Sequence, residues 1–173
     1  MRADAERNRA RILDAAEEVF AARGAAASTE EVARRAGVAI GTVFRHFPTK
    51  DELLTAIMKR MLAALLDQAA ALRDPDGLFT FFAAVVARAA GQRTVITLTG
   101  VDLGAAMQGL HGAVAGLLDQ AQAAGTVRAD VAPPEVLALL TGLCHGALRG
   151  GWDPALQERT LAVVFAGLRG SVP

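Results

Sequence analysis

Ser28 to Lys50, STEEVARRAGVAIGTVFRHFPTK, is the stretch that most restricts what this chain can fold into. It encodes two short helices and a tight turn. Ser28 and Glu31 have the spacing of a capping box, in which each side chain satisfies one orphan N–H at the helix start. The first helix then runs through Val32 and Ala33 to Ala36. Gly37 stands where a helix must stop, because glycine accepts the left-handed backbone of the C′ position. A second helix is predicted over Ile40–His46. At about 100° per residue, with Val43 turned to the core, Phe47 and Ile40 fall on the core side. Gly41 and Arg45 then point the opposite way, flanked by Thr42 and Phe44. Such a crest can come close to another surface, and the arginine fork suits a guanine edge or a phosphate. This is the layout of a helix-turn-helix, whose second helix lies in a major groove. An ordinary αα-corner has the same outline.

GTVFRHFPTKDEL, together with RARILDAAEEVFAARG ahead of it, closely resembles the signature of the TetR family of bacterial transcriptional regulators over about residues 7–60. Further along, only the helical pattern and the length match. The resemblance implies an all-α fold of about nine helices. A three-helix DNA-binding head would occupy 1–48, sharing a connecting helix at 49–73 with a C-terminal regulatory and dimerisation domain at 49–173. It also implies a homodimeric repressor that binds a palindromic operator in double-stranded DNA and is released by a small-molecule effector. The DNA contacts would be Ile40, Gly41, Thr42, Phe44, Arg45 and His46, with Arg7 and Arg9 from the N-terminus. Lys50 would join them, since a helix N-terminus and a free ammonium both favour a phosphate and the corresponding lysine of the family contacts the DNA backbone. The chain departs from the family pattern at two places. Phe44 stands where many members carry a tyrosine that bonds a phosphate. Ala39 stands where serine or threonine often caps the recognition helix, a loss of about 0.5–2 kcal/mol. His46 is either a phosphate donor or a packing group.

Net charge is zero over 173 residues, which looks wrong for a DNA binder until it is divided. Residues 1–60 hold 11 Lys and Arg against 9 Asp and Glu, whereas the remainder holds 7 against 9. Phosphate neutralisation drives nonspecific DNA affinity, so a local patch in the first third is expected, not a global field. No run of 18 or more uncharged apolar residues marks a membrane span. The charged start, MRADAERNRAR, lacks a signal-peptide apolar region. A cytoplasmic location without membrane association is therefore expected. The one cysteine, Cys144, excludes an intrachain disulfide framework and cannot by itself build a structural zinc site.

In chain order, Ile12, Ala15, Ala16, Val19 and Phe20 form the buried stripe of a first helix closed by Gly24. Thr49 and Glu52, behind Pro48, open a long helix to about Arg73, on the order of 36 Å in length. Asp74-Pro75-Asp76-Gly77 breaks the chain, and a helix follows over about Leu78–Ala90. Arg93–Gly104, RTVITLTGVDLG, is rich in β-branched residues. It has no partner strand and is read as a short irregular helix and a loop. Further helices are expected over about Ala105–Ala124, Pro134–Arg149 and Pro154–Leu168, the last with Asp153 as cap and proline at its first position.

Gly142, Gly146 and Gly150 recur every four residues on one face. Interior glycine costs roughly 1 kcal/mol against alanine, so another helix should come very close there. That partner is either inside the monomer or across a two-fold axis. In the family, the last two helices of each protomer form a four-helix dimer bundle. Its residues here would be Gly142, Gly146, Gly150, Val164 and Leu168. The family also implies a small-molecule pocket among the middle helices, for which Met58, Met61, Phe82, Val86, Met107, Leu110 and His111 are candidates. Their character favours an apolar or aromatic ligand.

An enzyme would need convergent polar groups. Cys144 and His145 are neighbours and diverge by about 100° on a helix, so they cannot form a nucleophile–base pair. No P-loop, HExxH or dinucleotide fingerprint is present, and neither cofactor, metal nor catalytic residue is expected. The rival reading is an all-α protein-interaction module that does not touch DNA.

Overall fold

The computed structural model describes residues 2–99 and 108–169. Within them lie nine α-helices and no strand: α1 (Arg2–Arg23), α2 (Thr29–Ala36), α3 (Ile40–His46), α4 (Lys50–Ala71), α5 (Gly77–Gly91), α6 (Arg93–Thr99), α7 (His111–Ala123), α8 (Pro133–Gly150) and α9 (Pro154–Leu168). A short 3-10 turn, Gly24–Ala26, follows α1. The chain packs as two units, which divide within α4 between Met61 and Leu62. The first holds the chain up to Met61 together with α6, and the second holds the rest. The division expected from the sequence gives 1–48 to the head and 49–173 to the second domain, with the helix at 49–73 shared between them. Contacts place α6 otherwise, because α6 packs on α1 and on the 3-10 turn. Its Val95 and Ile96 are buried, so packing overrides the β propensity of that run. Residues 100–104, the end of the stretch expected as a short irregular helix and a loop, and 105–107, expected as helix, lie outside the described residues.

In the first unit, α1 buries Ile12, Ala15, Ala16, Val19 and Phe20 and packs on α2, α3 and α6. The α2–α3 turn is set by Gly37 at φ +65°. The N–H of Val38 reaches the carbonyl of Ala33 at 3.0 Å, and that of Gly37 reaches Arg34 at 3.2 Å. This is the paired closure of a Schellman motif. The start of α2 is a half-made capping box. Ser28 Oγ accepts from the N–H of Glu31 at 3.2 Å. Glu31 does not reciprocate; its carboxylate takes Arg23 Nε at 3.1 Å and lies 3.6 Å from Arg34. An arginine brought close by the fold outcompetes a backbone N–H. Thr49 caps α4 in the same way, accepting from the N–H of Glu52 at 3.1 Å.

In the second unit, α5 is central and packs on α7, α8 and α9. The Phe79 and Phe82 rings meet Phe165 of α9 at centroid distances of 4.7 and 5.8 Å. Arg169 lies 4.6 Å over Phe79 and bonds Asp76 at 3.2 Å, tying the end of α9 to the start of α5. α8 turns Val136, Leu137, Leu140, Leu143, Cys144 and Ala147 inward. Burial pushes the Cys144 thiol up to about 12.

The close neighbour of two α8 glycines is Trp152 of the same chain. A Cβ on Gly146 would stand 2.6 Å from Trp152 Cζ2, and one on Gly150 2.6 Å from its Nε1. The indole lies back along α8 where any larger residue would collide. A second helix is not what these two glycines make room for, so the interface reading of Gly146 and Gly150 is corrected on this point. Gly142 differs, since a Cβ there would meet nothing within 4 Å.

Candidate nucleic-acid interface

α3 has seven residues and two sharply different sides. Val43 is fully buried and Phe47, just past the helix, nearly so. Ile40 and Phe44 are 38% and 44% exposed. Gly41 and Arg45 are exposed beside them, while Thr42 and His46 are half-buried. The outward arc therefore runs Ile40, Phe44, Gly41, Arg45. The expectation that Ile40 faces the core is corrected: Ile40 is exposed while Thr42 and His46 are half-buried, so the buried side of the helix is centred on the Thr42 and His46 flank of Val43, which turns Ile40 out and Thr42 partly in. Space around Gly41 is open, with no atom within 4 Å of a built Cβ. Ala39, at the N-cap, makes no side-chain cap bond.

The position of α3 is held from α1. Arg11 donates to the carbonyl of Ala36 at 2.6 Å and to that of Gly37 at 3.5 Å. Its guanidinium fills the place a Cβ on Gly37 would need, 2.9 Å away. Two residues earlier on α1, Arg9 lies 5.2 Å over the Phe47 ring. Arg11 was not singled out from the sequence, where it is one arginine of three at the head of a helix. Only the fold brings it to the end of α2.

Around α3, Arg7 pairs with Asp4 on its own exposed helix end. Arg9 and His46 line an open cleft of about 580 Å³ together with Thr55 and Lys59. Arg45 makes no hydrogen bond or ion pair among the described residues, so its fork is available. Lys50 is not the free ammonium expected. Its Nζ donates to Ala27 O at 2.8 Å and Ala25 O at 3.4 Å and lies 5.3 Å over Phe20. It stitches α4 to the turn after α1. Other arginines do similar work: Arg60 bonds Asp14 and Glu17 of α1 at 2.7 and 3.0 Å, and Arg35 bonds Glu18 at 2.6 Å. Glu30, in the first turn of α2, is held below the usual carboxylate range by its own backbone N–H and by the Ser28 hydroxyl.

The ligand-pocket candidates fall in both units. Met58 and Met61 are buried in the first unit, whereas Phe82, Val86 and Leu110 are buried in the second. His111 is exposed at the start of α7, so its place in a pocket is corrected. Met107 lies outside the described residues. Of the dimer candidates, Gly142 is exposed, Val164 half-buried and Leu168 buried. No described helix is long and apolar enough to cross a membrane.

Residues 12–57 match the family described as bacterial regulatory proteins, tetR family. Residues 74–170 match the C-terminal domain of SbtR-like transcriptional regulators. Among solved structures, a TetR transcription regulatory protein from Mycobacterium vanbaalenii is 38% identical, with a TM-score of 0.76 over 98% of this chain and 99% of that one. A TetR transcriptional regulator from Streptomyces coelicolor is 31% identical, with a TM-score of 0.75 over 95% and 99%. Among curated relatives, the transcriptional regulator SrpR of Pseudomonas putida is 49% identical, but over 57 residues that span only 27% of its length. UidR of Escherichia coli is 25% identical over 99% of this chain and 94% of its own. With an exposed recognition helix behind a glycine-closed turn, and with matches covering both parts of the sequence, the chain belongs to the TetR family of bacterial transcriptional regulators and carries a helix-turn-helix DNA-binding domain.

Proposed function

We propose that the protein is a homodimeric repressor, that it binds a palindromic operator through two copies of α3, and that a small apolar or aromatic effector releases it. The observation that carries the reading is the outward arc of α3. Its arginine fork is unpaired and adjoins an open glycine, an arrangement suited to the floor of a major groove.

A single seven-residue helix reads few base pairs, so a two-fold pair is needed for a specific site. The surface that suits such pairing lies on α8 and α9. Ala138, Leu139 and Gly142 are exposed at helical spacing on α8. On α9, Ala162, Ala166 and Gly167 flank Val163, which is 75% exposed. A row of small apolar residues open to water on two helices fits an isologous helical interface. These residues replace Gly146, Gly150 and Leu168 as the interface candidates.

Effector release would work by population shift. A ligand that stabilises a conformer with α4 displaced would move the heads away from the spacing of about 34–36 Å that successive major grooves require. Ligand and operator affinities must then be reciprocally coupled. Selection of duplexes from a random pool, followed by footprinting and sedimentation, tests the reading. A protected palindrome bound by two chains is expected. A monomer in solution, or protection of no sequence, would refute it.

A further inference from the structure

Resting on the reading that α3 enters the major groove, we propose that its operator is recognised in part through thymine methyl groups. Ile40 and Phe44 would form the apolar ledge that meets them, and Arg45 would read a neighbouring guanine.

Among the described residues of the first unit three large apolar side chains stand exposed, and two of them, Ile40 and Phe44, share the seven-residue α3. They are four residues apart and lie on the same side of the helix, beside Gly41. The C5-methyl of thymine is the apolar group that a base edge offers in the major groove. Phe44 has no hydroxyl and cannot donate to a phosphate, so its contribution must come from apolar contact. Gly41 has open space where a side chain would stand. The helix backbone can therefore come down between Phe44 and Arg45, and the apolar ledge beside it can reach the base edges. Along the axis the two lie about 6 Å apart, at 1.5 Å per residue. Successive base pairs are about 3.4 Å apart, so the ledge spans about two base steps. Arg45 follows Phe44 by about 100° around the helix. Its fork would reach a base displaced from those thymines, and a bidentate pair with guanine O6 and N7 is its best-matched contact.

The test uses the full chain and an operator recovered by selection from random duplexes. The operator is then synthesised with deoxyuridine in place of thymine, one position at a time, within each half-site. That change removes a methyl and keeps every hydrogen-bonding group. Affinity is expected to fall about fourfold for each contacted methyl. In Phe44→Ala or Ile40→Ala, the preference for thymine over uracil should shrink towards one at the matching position. Equal binding of thymine and uracil operators, with preference over unrelated DNA retained, would overturn the methyl contact while leaving groove binding intact. A thymine preference undiminished in both variants would overturn the assignment to these side chains. Failure of selection to enrich any sequence would overturn both this inference and the reading beneath it.

Discussion

Gly41→Ala separates what the fold needs from what DNA needs. A methyl group at this position meets nothing within 4 Å in the folded chain. The φ of Gly41 is not positive, since the positive-φ glycines are Gly24, Gly37, Gly125 and Gly151. Alanine should therefore be accepted without strain, and helix propensity then favours it. In the first turn of a short helix the gain is about 0.5 kcal/mol, the lower end of the usual range. For a chain of this size that raises Tm by about 1–2 °C. On the operator the sign reverses. If the open crest rests against base edges, an added methyl overpacks a close contact at about 1–3 kcal/mol per head. That corresponds to about 5–150-fold per half-site. Thermal unfolding followed by circular dichroism gives the first number, and anisotropy titration of a labelled operator at fixed salt gives the second. The salt slope should not change, because no phosphate contact is removed. An alanine variant that loses stability, or that binds operator within about twofold of the parent, would refute the reasoning.

Gly146→Ala should cost about 1–3 kcal/mol by colliding with Trp152, and combining it with Trp152→Ala should cost less than the sum; strict additivity in denaturant unfolding would deny the contact. Trp152 is the one tryptophan of the chain, so its emission in Gly146→Ala should also shift to the red. Lys50→Ala should lose about 1 kcal/mol of stability through the carbonyls of Ala25 and Ala27, with the salt slope of DNA binding unchanged; a slope lower by about one at constant stability would return Lys50 to a phosphate. Cys144 gives a pH prediction. Its thiol is raised from 9.0 to about 12 in the fold, so the unfolded chain ionises first. Its contribution should be constant below about pH 9 and fall between 9 and 12, by up to about 1.4 kcal/mol per pH unit. The difference in urea stability between the parent and Cys144→Ala isolates it, and a difference that stays level to pH 11 would count against the burial of this thiol.

Local signals carried most of the secondary structure. Gly37 and the Thr49 and Asp153 caps act over three or four residues, and such interactions depend little on what lies elsewhere in the chain. Ile40–His46 was readable for that reason, bounded by a glycine-closed turn on one side and by a proline beyond Phe47 on the other. The pattern of apolar residues likewise marked the buried stripe of α1. The family resemblance was legible because it rests on one contiguous string.

Contacts between residues far apart in sequence could not be read this way. Arg11 reaches Ala36 across 25 positions, and no spacing rule links them. Glu31 had the right spacing for a capping box, yet it turned to Arg23, because a charged partner supplied by packing binds more strongly than an N–H. Lys50 had the right place for a phosphate but found two backbone carbonyls. The glycines of α8 announced a close approach without saying by what, and the indole of Trp152 settled the matter for two of them. Caps, glycine stops and apolar periodicity determined where most helices of this protein lie; the direction each helix is turned, and therefore whether Ile40 or Thr42 meets the outside, was decided only when the helices packed and their buried surfaces chose a common centre.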